Sequence, residues 1–219
     1  MGEAIFLSAG VPDPRRGPEF AATADTVAIT AAVSALAYVA LGRRRLIWGG
    51  HPAITPMILV MSEGMGVDYA EWVTLYQSQF FKDEFPEDNE RFRNVVLTEK
   101  LKTGRDASLQ LMRERMFYEN EFAAAVFIGG MGGVIAEYEM FTRLQPLAKV
   151  IPVTSTGGAS LDVAARLGKL PTDFSQQRDY VALFHEHLEI SVKEERFRSP
   201  SEQPTVVEDR YWSPRSQGV

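Results

Sequence analysis

Residues 123–139 constrain the fold of this chain more than any other stretch. Residues 123–128 form an apolar run too short for a helix, four glycines then occupy five positions, and apolar residues at helical spacing follow together with two acids. This pattern predicts a buried strand, a tight loop and a helix N-terminus, where bare backbone and free N–H groups attract an anion such as phosphate. We therefore predict ligand contacts by Gly129, Gly130, Met131, Gly132 and Gly133; a tight turn in the core is the alternative.

Three other strand-like runs end in similar loops. Each run is followed by small, hydroxyl or glycine residues, which suit phosphate or ribose contacts. The candidate ligand residues are Ser8, Gly10 and Arg15 after the first run, Gly49, Gly50 and His51 after the second, and Thr156, Gly157 and Gly158 after residues 149–153. Structural alternatives stay open, since Arg15 and Arg16 also suit a solvated loop, His51 a structural role, and Thr156 a side-chain-stabilised turn.

Strands that alternate with helices predict the fold class α/β, as a doubly wound, mainly parallel, Rossmann-like sheet flanked by helices. Helices are expected at about 23–41, with Thr23 or Thr26 as cap, and at 56–65, 105–120 and 178–194. Aromatic residues at 72, 76 and 80 share one face of a further predicted helix, which would pack in the core or between subunits. Residues 1–198 are expected to form a single domain, and 199–219 a tail too poor in apolar residues to fold alone.

Composition removes several classes of function. The chain has no cysteine, which excludes disulfides, thiolate metal sites and cysteine nucleophiles, and its net charge of −6 argues against general nucleic-acid binding. No signal peptide and no membrane span are expected, so we predict a cytoplasmic protein. His185 and His187 do not share one helical face, and no metal or cofactor is expected.

Particular motifs resemble a known superfamily. Residues 112–115 (Met-Arg-Glu-Arg) precede residues 127–133 (Phe-Ile-Gly-Gly-Met-Gly-Gly) by a short interval. This looks like the LOG (lysine-decarboxylase-like) family, with its M-x-E-R helix and P-G-G-x-G-T-x-E-E loop. Strand ends at Ser8 to Gly10 and at Gly49-Gly50 are similar to the wider SLOG superfamily of Rossmann-like nucleotide-binding domains. The resemblance covers about residues 4–165.

The resemblance implies roles for individual residues. The four glycines would bind a nucleotide phosphate, Arg115 would match the catalytic arginine, and Glu137 is the candidate for the catalytic glutamate. LOG enzymes hydrolyse the N-glycosidic bond of a nucleoside monophosphate, in which a carboxylate stabilises the oxocarbenium-like ribose or activates water. The chain departs from the pattern, because Ile135 and Ala136 occupy the places of the paired glutamates and Glu137 lies about 100° further round the helix.

Two functions are consistent with these motifs. One is hydrolysis of a nucleotide or NAD-like substrate, and the other is non-catalytic sensing of a nucleotide-derived signal, as in SLOG relatives of bacterial defence and signalling systems. A homo-oligomer is expected from the resemblance and the aromatic segment, and an effector protein is a possible partner of a sensor. A purely structural subunit is the third alternative.

Overall fold

The computed structural model describes residues 4–85 and 87–213. In chain order the strands and helices are β1 Ala4–Gly10, α1 Pro18–Ala21, α2 Thr26–Ala40, β2 Leu46–Trp48, α3 Thr55–Glu63, α4 Tyr69–Trp72, β3 Val73–Ser78, β4 Val95–Thr98, α5 Arg105–Tyr118, β5 Phe122–Gly129, α6 Gly132–Leu144, β6 Lys149–Val153, α7 Ala159–Leu167, α8 Asp173–Gln176 and α9 Tyr180–His187. Short 3-10 helices cover Gln79–Glu84, Glu87–Arg91, Thr154–Thr156, Pro200–Glu202 and Val207–Arg210.

The strands form one parallel sheet in the order β4-β3-β2-β1-β5-β6. The chain moves outward from β1 to β4 and then returns to add β5 on the other side of β1. The order therefore reverses between β1 and β5, the position where open α/β sheets leave a crevice at the carboxyl ends of their strands. This architecture confirms the predicted doubly wound α/β class.

Helices cover both faces of the sheet, so the inner strands β1, β2, β3 and β5 are almost entirely buried, whereas the edge strand β4 is partly exposed. Ile5 and Leu7 of β1 belong to an apolar cluster with α2, α3 and α9, whereas Phe6 packs with α5, α6 and α7 on the opposite face. Helix α2 is packed along most of its length, and its alanines allow a close approach to the sheet. The predicted cap at Thr23 or Thr26 is wrong, because the Asp25 carboxylate accepts a hydrogen bond from the Ala28 amide at 3.0 Å and begins the helix.

The predicted aromatic helix is also wrong. Trp72 ends the short helix α4, Tyr76 lies in β3, and Phe80 lies in a 3-10 helix. All six residues of β3 are buried, because the strand lies between β2 and β4 with helices on both faces. Such a strand shows no apolar–polar alternation, so the spacing of its aromatic residues resembles a helical period by coincidence.

The C-terminal segment folds back on the domain beyond α9. The predicted helix at 178–194 is shorter, because Glu189 takes a left-handed φ of 55° just after it ends. Glu194 is buried against Arg44 at 2.5 Å, and the Trp72 indole N–H donates to the carbonyls of Phe197 and Arg198 at 3.1 and 3.0 Å. Within the predicted tail, the Gln203 side chain donates to the Arg43 carbonyl at 3.0 Å and the Trp212 amide donates to the Lys193 carbonyl at 2.8 Å, so the tail is docked over 199–213. Residues 214–219 lie outside the described residues, as do 1–3 of the predicted domain.

Candidate functional site

A cavity of about 340 Å³ opens at the carboxyl ends of β1, β2, β3 and β5. It lies over the reversal between β1 and β5, as the parallel order requires for a ligand crevice. The predicted site residues that line it are Gly10, Gly49, Gly50, His51, Gly130, Met131, Gly133 and Glu137. These residues follow three separate strands, β1, β2 and β5, and the fold brings them to one space.

The loop between β5 and α6 presents open backbone to this cavity. Gly130 has a φ of 76°, and its N–H donates to the Gly10 carbonyl at 2.7 Å, which ties the loop to the end of β1. No side chain of the described residues caps the start of α6, whose N-cap residue is Met131. In the first turn of this 13-residue helix, the Val134 N–H donates to the Met131 carbonyl at 2.8 Å, whereas the N–H groups of Gly132 and Gly133 are available to an anion.

Glu137 faces the cavity despite its shifted position in the sequence. Its Oε2 accepts a hydrogen bond from Ser8 Oγ at 2.5 Å, and its Oε1 accepts one from Arg113 Nε at 3.3 Å. Arg113 and Glu137 are only 13% and 16% exposed. The carboxylate is therefore fixed by partners on β1 and α5, and its orientation does not depend on a glutamate pair at 135 and 136.

The two arginines predicted for the site, Arg15 and Arg115, lie outside the cavity, whereas Arg16 and Arg113 line it. Arg113, not Arg115, lines the cavity, because residues two apart on α5 point about 200° apart. Arg115 lies outside it and donates to Glu119 at 2.5 Å and to the Leu97 carbonyl at 3.4 Å. Arg15 is also outside, with 89% of its side chain exposed and an ion pair to Asp13, whereas Arg16 lines the cavity.

Thr156, Gly157 and Gly158 support the glycine loop from behind and do not line the cavity. The Thr156 hydroxyl accepts a hydrogen bond from the Gly129 amide at 2.9 Å, and the Ala159 amide donates to the Gly130 carbonyl at 3.0 Å. Gly129 and Gly132 likewise belong to the loop without lining the cavity. The third glycine pair of the sequence thus positions the loop that follows β5.

A family model places the chain among known sequences. It is the model of the SLOG cluster3 family, and it matches residues 19–188. The chain belongs to the SLOG cluster3 family. SLOG membership indicates a nucleotide-related function, and the matched residues include every strand except β1. Neither the curated proteins nor the solved structures contain a match to the chain.

His51 lines the same cavity. Its Nδ1 accepts a hydrogen bond from the Ala53 amide at 3.2 Å, so the neutral ring carries its proton on Nε2, beside Gly10. Burial, with a smaller contribution from the positive charge of Arg16, lowers the pKa of His51 below its ordinary value of 6.5. At neutral pH the ring is therefore a neutral hydrogen-bond donor.

We expect His51 to titrate below pH 6.5 in the free protein, because the folded state disfavours its charged form. As the pH falls through the pKa that His51 has in the unfolded chain, the unfolded chain binds more protons than the folded one, so the free energy of unfolding decreases. NMR titration of the ring protons checks the midpoint, with His51→Gln to assign the signal. A midpoint at or above 6.5 would contradict the buried, neutral assignment.

Several cavity residues were not predicted as site residues. Gln77, Phe81, Phe85 and Arg105 line the side of the cavity opposite the glycine loop. The aromatic residues of this region were attributed to packing, and a single glutamine at the end of an unpredicted strand carries no recognisable motif. The signal that would have identified them is the position of β3 next to β2, which only the sheet order provides.

Outside this cavity, a cluster of side chains brings together three possible metal ligands. Asp173, Glu186 and His187 place ligand atoms within 4.8 Å of one another. His187 Nε2 is hydrogen-bonded to Asp173 Oδ2 at 2.5 Å, which links α8 to α9. His185 points elsewhere and contacts the Ile190 carbonyl at 2.6 Å. The hydrogen bond alone accounts for the proximity of Asp173 and His187.

Of the helices in the described ranges, none is long and apolar enough to cross a membrane.

Proposed function

We propose that this protein binds a nucleotide-derived ligand in the cavity and hydrolyses its N-glycosidic bond. The observation that carries the proposal is that α6 presents both its uncapped N-terminus and Glu137 to one cavity. The two features lie five residues apart, about 7.5 Å along the helix axis. With an anionic phosphate at the helix start, the ribose lies beside Glu137, whose carboxylate is held by the buried Ser8 hydroxyl.

The reaction requires one water molecule. As the bond from ribose C1′ to the base nitrogen breaks, positive charge develops on the ribose ring, and the water oxygen forms the new bond to C1′. Glu137 stabilises that charge or takes the proton of the attacking water, and the leaving base nitrogen receives a proton. Ser8 and Arg113 hold the carboxylate in orientation, which reduces the reorganisation needed at the transition state.

A panel of nucleoside monophosphates, diphosphates and nicotinamide dinucleotides tests the proposal. Binding is measured as a shift in melting temperature, and turnover as free base separated by chromatography. We expect at least one nucleotide to stabilise the protein and to release its base. If none shifts the melting temperature, the assignment of the cavity to nucleotides fails.

Arg113→Ala is expected to weaken nucleotide binding by about 10–100-fold, whereas Arg115→Ala changes it little. The reason is that Arg113 is largely buried and lines the cavity, but Arg115 is paired on the outside of α5. Isothermal titration calorimetry of both variants with the same nucleotide measures the contrast. Equal losses in the two variants would contradict the placement of the binding arginine.

Sensing without turnover is the second candidate function. It is favoured by the engagement of both Glu137 oxygens, since each of them already accepts a hydrogen bond from a protein side chain. A sensor binds the nucleotide without releasing base and transmits the bound state to a homo-oligomer or an effector protein in the cytoplasm. Light scattering with and without nucleotide measures a change of assembly.

A further inference from the structure

Gln77 brings a buried primary amide to the cavity. It is the fifth of the six residues of β3 and only 8% exposed, and it lines the cavity beside the end of β2. Its amide lies directly against the backbone of Gly50, where an added Cβ would overlap Nε2 and lie 3.2 Å from Cδ. Gly50, with a φ of 72°, therefore leaves the space that this amide occupies.

The hydrogen-bonding capacity of this amide is unused within 4–85 and 87–213. The backbone carbonyl of Gln77 accepts a hydrogen bond from the Thr98 hydroxyl, but its side chain has no partner in these ranges. A glutamine amide offers two donors and an acceptor. Because Gln77 lines the cavity, these groups can pair with a ligand that supplies an acceptor and a donor.

A second donor and an aromatic ring line the same cavity as Gln77. Trp48, on the adjacent strand β2, also lines the cavity, and its buried indole N–H has no hydrogen-bond partner among the residues that the structure describes. The ring of Phe81 lies under the Arg105 guanidinium, 5.7 Å from the ring centroid, and both residues line the cavity. Flat apolar surface beside unpaired polar groups suits a heterocyclic base, which stacks through its face and hydrogen-bonds through its edge.

The sheet order separates this end of the cavity from the anion-binding end. Three strand spacings lie between β5 and β3, about 14 Å in all. Glu137, where we place the ribose, lies between the two ends, because its carboxylate accepts a hydrogen bond from Ser8 of β1. Phosphate, ribose and base thus follow the sheet from β5 to β3.

We infer, on the basis of the proposed function, that Gln77 determines which base the ligand carries. Its amide matches an edge with an adjacent donor and acceptor, as in a purine with a 6-amino group, where Oε1 accepts from the N6 amino group and Nε2 donates to the neighbouring ring nitrogen. A site built to hydrogen-bond such a group rejects analogues that lack it.

Four probes test this role: adenosine 5′-monophosphate, purine riboside 5′-monophosphate, guanosine 5′-monophosphate and ribose 5-phosphate. We expect the natural chain to bind the adenosine nucleotide about 10–100-fold more tightly than the purine riboside nucleotide, which lacks only the amino group. Gln77→Met is expected to bring this ratio close to 1 and to leave ribose 5-phosphate binding unchanged. Titration calorimetry measures each affinity, with Gln110→Met on the outer surface of α5 as the control.

The outcomes separate the inference from the proposed function. If the nucleotides bind but the ratio is close to 1 in the natural chain, or unchanged in Gln77→Met, the inference is wrong and nucleotide binding stands. If neither ribose 5-phosphate nor any nucleotide binds, the proposed function fails, and the inference with it. Gln77→Glu serves if the methionine variant does not fold, because two acceptors are expected to shift preference to guanosine 5′-monophosphate. If the preference does not shift in this variant, the role of Gln77 is overturned.

Discussion

Glu137→Gln is expected to reduce release of free base by about 10²–10⁴-fold. Glutamine keeps the size of the side chain and an oxygen that accepts from Ser8, but it removes the negative charge that stabilises the developing ribose cation and the basic oxygen that activates water. Binding of ribose 5-phosphate is expected to change much less than the rate. Single-turnover chromatography of base and ribose phosphate, combined with calorimetry, separates the two effects.

Glu139→Gln provides the matched control on the same helix. Glu139 is 57% exposed and pairs with Arg166 at 2.8 Å on the outside of α6, so this change removes a carboxylate from the surface only. If Glu139→Gln releases base at the natural rate, the loss of base release in Glu137→Gln is due to the carboxylate in the cavity. Undiminished release from Glu137→Gln would refute the proposed hydrolysis, and binding without release in the natural chain would favour sensing.

Gly157→Ala is expected to lower the free energy of unfolding by about 3–5 kcal/mol. Gly157 has φ 68° and ψ −158°, a region that only glycine occupies without strain, and an added Cβ would overlap the carbonyl oxygen of Thr23 and lie 2.6 Å from its carbon. Since the opposing atoms are backbone, they cannot move aside as a flexible side chain would. Thermal unfolding is expected to shift down by about 6–20 °C.

Gly168→Ala is the control that measures the strain of a positive φ without a steric overlap. Gly168 also has a positive φ, 82°, but no atom lies within 4 Å of its added Cβ. Its substitution should cost only the conformational strain, about 1–2 kcal/mol. Equal losses in the two variants would mean that the contact with Thr23 contributes nothing.

A reduced nucleotide affinity in Gly157→Ala is also expected, because Thr156 next to it holds the Gly129 amide.

The difference between predicted and observed site residues has a consistent physical cause. Glycine-rich strand ends were recognisable because a backbone requirement is local: Gly10, Gly49, Gly50 and Gly130 all line the cavity. Side-chain direction was not recognisable, because the choice between Arg113 and Arg115 depends on how α5 is rotated against the sheet. Gln77 was missed for the same reason, since its role depends on a strand pairing rather than a motif.

What the sequence determined by itself is the alternation of strands and helices, the glycine turn before α6 and the concentration of candidate ligand residues at strand ends. These features follow from local hydrophobic patterns and backbone conformations. The tertiary structure decided that β3 is a strand, that residues 199–213 are docked, and that Glu137 faces the cavity. Ser8 and Glu137 are 129 positions apart, so their hydrogen bond exists only because β1 and β5 pair at the centre of the sheet and carry α6 to the end of β1.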